Sequence, residues 1–183
     1  LKRIPGYVAK TNGRAFVLFT SYGFLKRASD ALMPWLEQNG YTLFAQGNGL
    51  PAPKLLERFR DAEKGVLFGV DTFWQGVDVV GEALSCVIID KLPFASPGDP
   101  ITAARIEAIA ARGGDPFGEY QVPLAILTLQ QGLGRLIRHR GDRGVLAILD
   151  PRLRTARYGE RFLASLPPAP QTHDLAAIER FFD

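Results

Sequence analysis

Five short runs in this chain, residues 15–19, 41–45, 65–69, 84–90 and 144–149, are apolar at almost every position. A strand with one wet face alternates apolar and polar residues, whereas a strand that is apolar throughout is buried on both faces. The stretches between and after these runs carry helical spacing: 20–37, 51–62, 100–112, 121–138, 155–166 and 174–182. Thr20 or Ser21 caps the first, and Pro34 inside it predicts a kink or a break. Buried strands alternating with helices predict a doubly wound, mainly parallel sheet of five or more strands, with helices on both faces. Leu166-Pro167-Pro168-Ala169-Pro170 is a short stiff linker, so residues 1–166 are expected to form one domain and 167–183 a linker with a terminal helix.

The chain has 183 residues, of which 46% are hydrophobic and 22% charged. Those fractions exclude a disordered chain, a collagen-like repeat and a coiled coil. No apolar run approaches the length that spans a bilayer. The first residue is Leu1 rather than Met, which suggests a piece of a longer polypeptide. A lone cysteine, Cys86, cannot form an internal disulfide, a tetrahedral zinc site or an iron–sulfur cluster. A reducing cytoplasm is the expected setting. His139 and His173 lie far apart without metal-ligand spacing, so no metal site is expected in the chain itself.

The net charge of +3 hides a strong asymmetry. Between Gln131 and Arg161 there are eight arginines, no lysine and three acids, a local charge of +5, and the remainder of the chain carries −2. Arginine is favoured where a planar fork must grip phosphate or carboxylate. An anionic ligand, phosphate first, is expected there; a solvated basic face is the bland alternative.

The most informative stretch is Gln131-Gly132-Leu133-Gly134-Arg135-Leu136-Ile137-Arg138. On one continuous helix, Gln131, Arg135 and Arg138 fall on one face. Two glycines inside that helix cost about 1 kcal/mol each relative to Ala, which suggests close approach by another backbone or a ligand. Two guanidiniums on one face fit a triphosphate clamp, where positive charge meets the charge that develops on a transferred phosphoryl group. In a parallel sheet ligands sit at the carboxyl ends of strands, and three more polar segments fall there: Thr20-Ser21-Tyr22, residues 71–78, and Asp90-Lys91. Gly76 would let the chain approach a ligand, Asp78 could accept a ribose hydroxyl, and Thr72 could bond a phosphate oxygen. Of the neighbouring Phe73 and Trp74, at least one is expected in the core. No Gly-x-x-x-x-Gly-Lys-Ser/Thr phosphate loop exists, nor an acidic pair for magnesium.

In order, these segments resemble the second motor domain of superfamily 2 helicases of the DinG/YoaA branch, relatives of XPD. The similarity lies in Val17–Tyr22, Phe73–Val79, Asp90–Pro100, the Gln131-x-x-Gly134-Arg135-x-x-Arg138 pattern, Asp142-Arg143-Gly144 and 158–168. Gln75 stands where many relatives have Glu, and Val80 where Pro is common. The resemblance implies a RecA-like fold and a share in an ATP-dependent DNA helicase that moves 5′ to 3′ on single-stranded DNA, in a bacterial cytoplasm. It implies Arg138 as the arginine finger, with Arg135 and Gln131 beside it. Gly76, Asp78 and Gly134 would meet the nucleotide, and Thr20, Ser21 and Thr72 the DNA phosphates. ATP with magnesium would be shared with a first motor domain outside this chain, which would also carry any iron–sulfur cluster. Implied partners are that domain, single-stranded DNA and replication or repair proteins, with no membrane. The chain by itself is expected to lack ATPase activity. A nucleic-acid-binding module without ATP chemistry, and an α/β enzyme acting on a small phosphorylated substrate, are the competing readings.

Overall fold

The computed structural model describes residues 1–70, 73, 84–134, 136–137 and 142–182. Five strands form one sheet: β1 (Ala15–Leu18), β2 (Thr42–Ala45), β3 (Gly65–Gly69), β4 (Cys86–Ile89) and β5 (Val145–Ile148). Their order is β2-β3-β1-β4-β5, and every pairing is parallel. In the three central strands every residue is buried, which is why their sequences show no alternation.

Helices cover both faces. One face buries Phe16, Leu18, Leu67, Val87 and Ile89 under α3 (Ala52–Asp61), α5 (Val122–Leu133) and α7 (Gly159–Ser165). The other buries Val17, Val66, Phe68, Cys86 and Ile88 under α1 (Ile4–Lys10) and α2 (Tyr22–Gln38). Helix α4 (Pro100–Ala111), the short α6 (Arg152–Thr155) and α8 (Ala176–Phe182) are the other α-helices among the described residues. Phe73 is fully buried, its ring edge-on to Phe16 at 5.8 Å, so the core takes the first of the two adjacent aromatics. Trp74 lies outside the described residues.

Three local expectations change. Pro34 does not break α2, which runs through it to Gln38. Pro34 and the residue four before it, Asp30, are both exposed, so the carbonyl that proline cannot serve lies on the solvent side. The apolar stripe Leu25, Ala28, Leu32 and Leu36 holds the helix to the sheet regardless. The helix expected over 155–166 begins only at Gly159, as α7; the short α6 ends at Thr155, and Ala156 after it is extended. The helix expected over 121–138 ends at Leu133, with Gly134 as its C-cap. Leu136 and Ile137 then both donate to the Leu133 carbonyl, closing the end in a turn.

The chain passes from β1 outward to β2 and back through β3, then continues to β4 on the opposite side of β1. The direction of winding therefore reverses between β1 and β4. In open α/β sheets the crevice beyond the carboxyl ends at such a reversal is where ligands bind.

Candidate nucleotide and nucleic-acid edge

Thr20 and Ser21 leave the carboxyl end of β1, and Asp90 and Lys91 leave that of β4. Strand register brings them together: Leu18 pairs with Ile89, and the Asp90 amide donates to the Leu18 carbonyl at 3.2 Å. Ser21 caps α2, its hydroxyl accepting from the Phe24 amide at 3.3 Å. Phe24 in turn rests against Phe19, with the Arg27 guanidinium 5.3 Å and the Lys91 ammonium 5.4 Å from its ring centre. Two cations thus flank the helix start beside Ser21, an arrangement suited to a phosphodiester.

Gln46, just past β2, ties the same edge together. Its amide nitrogen donates to the Tyr22 hydroxyl at 2.6 Å, and its amide oxygen accepts from the Val70 backbone at 2.8 Å. The N-terminus of α2 and the exit of β3 are therefore held in one frame. Nothing in the sequence marks this residue; a glutamine after a strand is ordinary until the register puts it between two loops.

Two carboxylates sit at the ends of β4 and β5 in opposite electrostatic states. Asp150 is buried and satisfied. Its carboxylate accepts from the Leu92 amide at 2.9 Å and the Arg152 amide at 3.0 Å, and its closest guanidinium contact with Arg152 is 2.6 Å. Burial pushes this acid up, but the hydrogen bonds from Arg152 and Leu92 outweigh it and hold it below the usual carboxylate range. Asp90 has one buried oxygen without a partner among the described residues. Burial raises it, Lys91 partly offsets that, and Asp150 reinforces it.

A folded-state carboxyl raised above its ordinary 3.8 binds its proton more tightly than in the unfolded chain, so stability falls as pH rises through that interval. Asp90→Asn removes the buried charge. It is expected to raise the melting temperature of this chain at neutral pH, with the gain disappearing below 3.8. A lower melting temperature for the variant at neutral pH would show instead that the carboxylate has a favourable partner.

Of the sequence-derived site residues, the structure brings Thr20 and Ser21 together at the β1–β4 reversal. Gln131 is exposed on the last turn of α5, and Gly134 caps that helix. Among the described residues, a Cβ on Gly134 would meet the Gln130 and Gln131 carbonyls, both at an ordinary 3.5 Å. Helix α5 stops at Leu133, so of the Gln131, Arg135 and Arg138 pattern it is Gln131 whose place the structure describes. Arg135, Arg138, Gly76, Asp78 and Thr72 lie outside the described residues. No group of three or more His, Cys, Asp or Glu among the described residues could hold a metal ion. Cys86 is buried in the sheet, its thiol pushed up to about 12 by burial, so it is a packing residue. A shallow hollow along α3, lined by Pro53, Lys54, Glu57, Arg60 and Asp61, lies on one helix away from this edge. No described helix is long and apolar enough to cross a membrane.

A five-stranded parallel sheet with its reversal beside the first strand defines a RecA-like α/β domain. Solved XPD helicase structures share it: one aligns over 90% of this chain and 30% of its own with a TM-score of 0.64 at 21% identity. Residues 4–169 match the helicase C-terminal domain family, and the chain belongs to it. It is 47% identical over 174 residues to the ATP-dependent DNA helicase YoaA of Escherichia coli K12, covering 95% of this chain and 27% of that protein. It is 43% identical over 178 residues to the ATP-dependent helicase DinG of Mycobacterium tuberculosis H37Rv, covering 97% of this chain and 26% of that protein. It is 42% identical over 156 residues to the 3'-5' exonuclease DinG of Bacillus subtilis 168, covering 84% and 17%. The chain thus spans about a quarter or less of the length of these relatives.

Proposed function

We propose that this chain is the second motor domain of an ATP-dependent DNA helicase that moves 5′ to 3′ along single-stranded DNA. The carrying observation is its membership of the helicase C-terminal domain family together with a sequence that holds no phosphate loop. In this reading residues 1–166 are the motor domain proper and 167–183 a linker with a terminal helix. The missing half of the nucleotide site belongs to a first motor domain preceding it. ATP is bound between the two, and the negative charge that develops on the transferred phosphoryl group is met by arginine from this side.

Arg138 is the finger, Arg135 its neighbour, and Gln131, on the exposed last turn of α5, helps set their approach. Gly76, Asp78 and Gly134 face the nucleotide. Thr20, Ser21 and Thr72 hold DNA phosphates, supported at the first two by the capped start of α2 and the cations Arg27 and Lys91. The residues present do not fit magnesium or an iron–sulfur cluster, since no acidic cluster among the described residues and no second cysteine offers the ligands. Both groups belong to the preceding domain in this reading. Replication or repair proteins in a bacterial cytoplasm are the corresponding partners.

The test is steady-state ATP hydrolysis by the 183-residue chain and by the whole polypeptide, each with saturating single-stranded DNA. Negligible turnover by the chain and DNA-stimulated turnover by the whole is expected. Robust metal-dependent turnover by the chain alone would overturn the assignment.

A further inference from the structure

The loop after β4 and the segment before α5 meet in a stack of aromatic rings that the motor chemistry does not use. The Phe94 ring lies 5.6 Å from the Phe117 ring at an interplanar angle of 17°. Tyr158 and the fully buried Phe162 pack edge-on to Phe94 at 5.5 and 5.8 Å. The Arg152 guanidinium lies over the same Phe94 ring at 5.5 Å, pinned there by Asp150. Phe117 ends this stack. It is 40% exposed, with its ring stacked on Phe94 and Tyr158 edge-on to it at 5.3 Å and 68°.

The backbone that carries Phe117 is unusual. Phe117–Gln121 is a π-helical turn, in which the Val122 amide reaches back five residues to the Phe117 carbonyl. Such turns are rare and recur at functional sites. This one is tightly braced. The Phe117 amide is held by Asp115, the Asp115 amide by Glu119, and Glu119 also pairs with Arg112 at 2.6 Å. The nearby acids are thus engaged. Facing them, α7 places Arg161, whose guanidinium donates to the Gly118 carbonyl at 3.2 Å, next to Phe117 in the chain. Residues 152–161 carry four arginines and one acid.

A partly exposed aromatic ring at the end of a rigid stack, bordered by arginine, is the chemistry that holds an unpaired nucleobase and its phosphate. We infer that Phe117 is a stacking platform for a base of single-stranded DNA, with Arg161 at the adjoining phosphate. It is a contact additional to the Thr20–Ser21 crevice, and it rests on the reading of the domain as part of a DNA motor. A base stacked on Phe117 prolongs the column that Phe94 begins. The ring is already immobilised, so little ordering is needed on binding.

Equilibrium binding of the whole polypeptide to an oligothymidylate, and to an abasic deoxyribose-phosphate oligomer of equal length, separates stacking from charge. Phe117→Leu keeps an apolar cover over Phe94 but removes the aromatic face. It is expected to weaken the thymidylate about tenfold, leave the abasic oligomer unaffected, and leave the salt dependence unchanged. Phe117→Trp should restore thymidylate binding, and Arg161→Ala should weaken both probes and reduce the salt slope. Equal thymidylate affinity in Phe117→Leu and the unsubstituted protein overturns the inference, as does equal weakening of both probes. If the unsubstituted protein binds neither probe, the DNA-motor reading itself fails.

Discussion

Arg138→Ala in the whole polypeptide should lower DNA-stimulated ATP hydrolysis by about 10³- to 10⁵-fold, with folding and DNA binding retained. The expectation starts from charge: eight arginines and no lysine within 131–161, where a phosphate-gripping fork is the favoured chemistry. It continues with placement. Helix α5 ends at Leu133 with Gln131 exposed on its last turn, and Leu136, which lies between the two arginines in the sequence, is buried. A guanidinium at a transferred phosphoryl group meets charge that spreads only in the transition state, so its loss should appear in kcat far more than in KM for ATP. Arg138→Lys should rescue poorly, because a point charge does not reproduce the fork. Steady-state kinetics with saturating single-stranded DNA checks both variants. Turnover that survives Arg138→Ala transfers the role to Arg135.

The largest expected effect on stability falls at Gly159. This residue starts α7 directly after the break from α6, and a Cβ there would lie 2.0 Å from the Leu153 carbonyl oxygen and 3.1 Å from that of Arg152. Both obstacles are backbone, so no side-chain rotation relieves the clash. Gly159→Ala should cost about 3 kcal/mol, at the upper end for forced overpacking. In a domain of this size that corresponds to a fall of roughly 6–12 °C in melting temperature. Thermal unfolding followed by circular dichroism reads it directly, and an unchanged melting temperature would mean that α6 and α7 separate freely. Tyr158 and Phe162, which pack around Phe94, flank Gly159, so the variant should also loosen the stack beneath Phe117.

Much of the fold was open to reading because burial on both faces leaves a simple mark. Val66, Leu67 and Phe68, or Val87, Ile88 and Ile89, have no polar partner in sequence because each side of the sheet is roofed by a helix. The sites that fail this logic are those where local preference and tertiary packing disagree. Pro34 is a helix breaker by itself, yet the stripe from Leu25 to Leu36 outweighs it. The pattern over 121–138 continues beyond Leu133 although the helix does not, because periodicity records which residues face the core and not where hydrogen bonding stops. The π-helical turn at Phe117 has no periodic signature at all.

The sequence by itself determined the class of sheet, the arginine-rich segment, the absence of a phosphate loop and the resemblance that pointed to a helicase motor. Each depends only on which side chains occur and in what order. Tertiary structure decided which of them meet. Register between β1 and β4 put the exit of β1 beside Asp90, and packing beyond β4 gathered Phe94, Phe117 and Tyr158. It also divided two similar aspartates into a paired Asp150 and an Asp90 with one buried oxygen that has no partner among the described residues. The physical reason is that hydrogen bonds, desolvation and ring stacking act over a few ångströms, and in a parallel sheet groups that close are tens of residues apart along the chain.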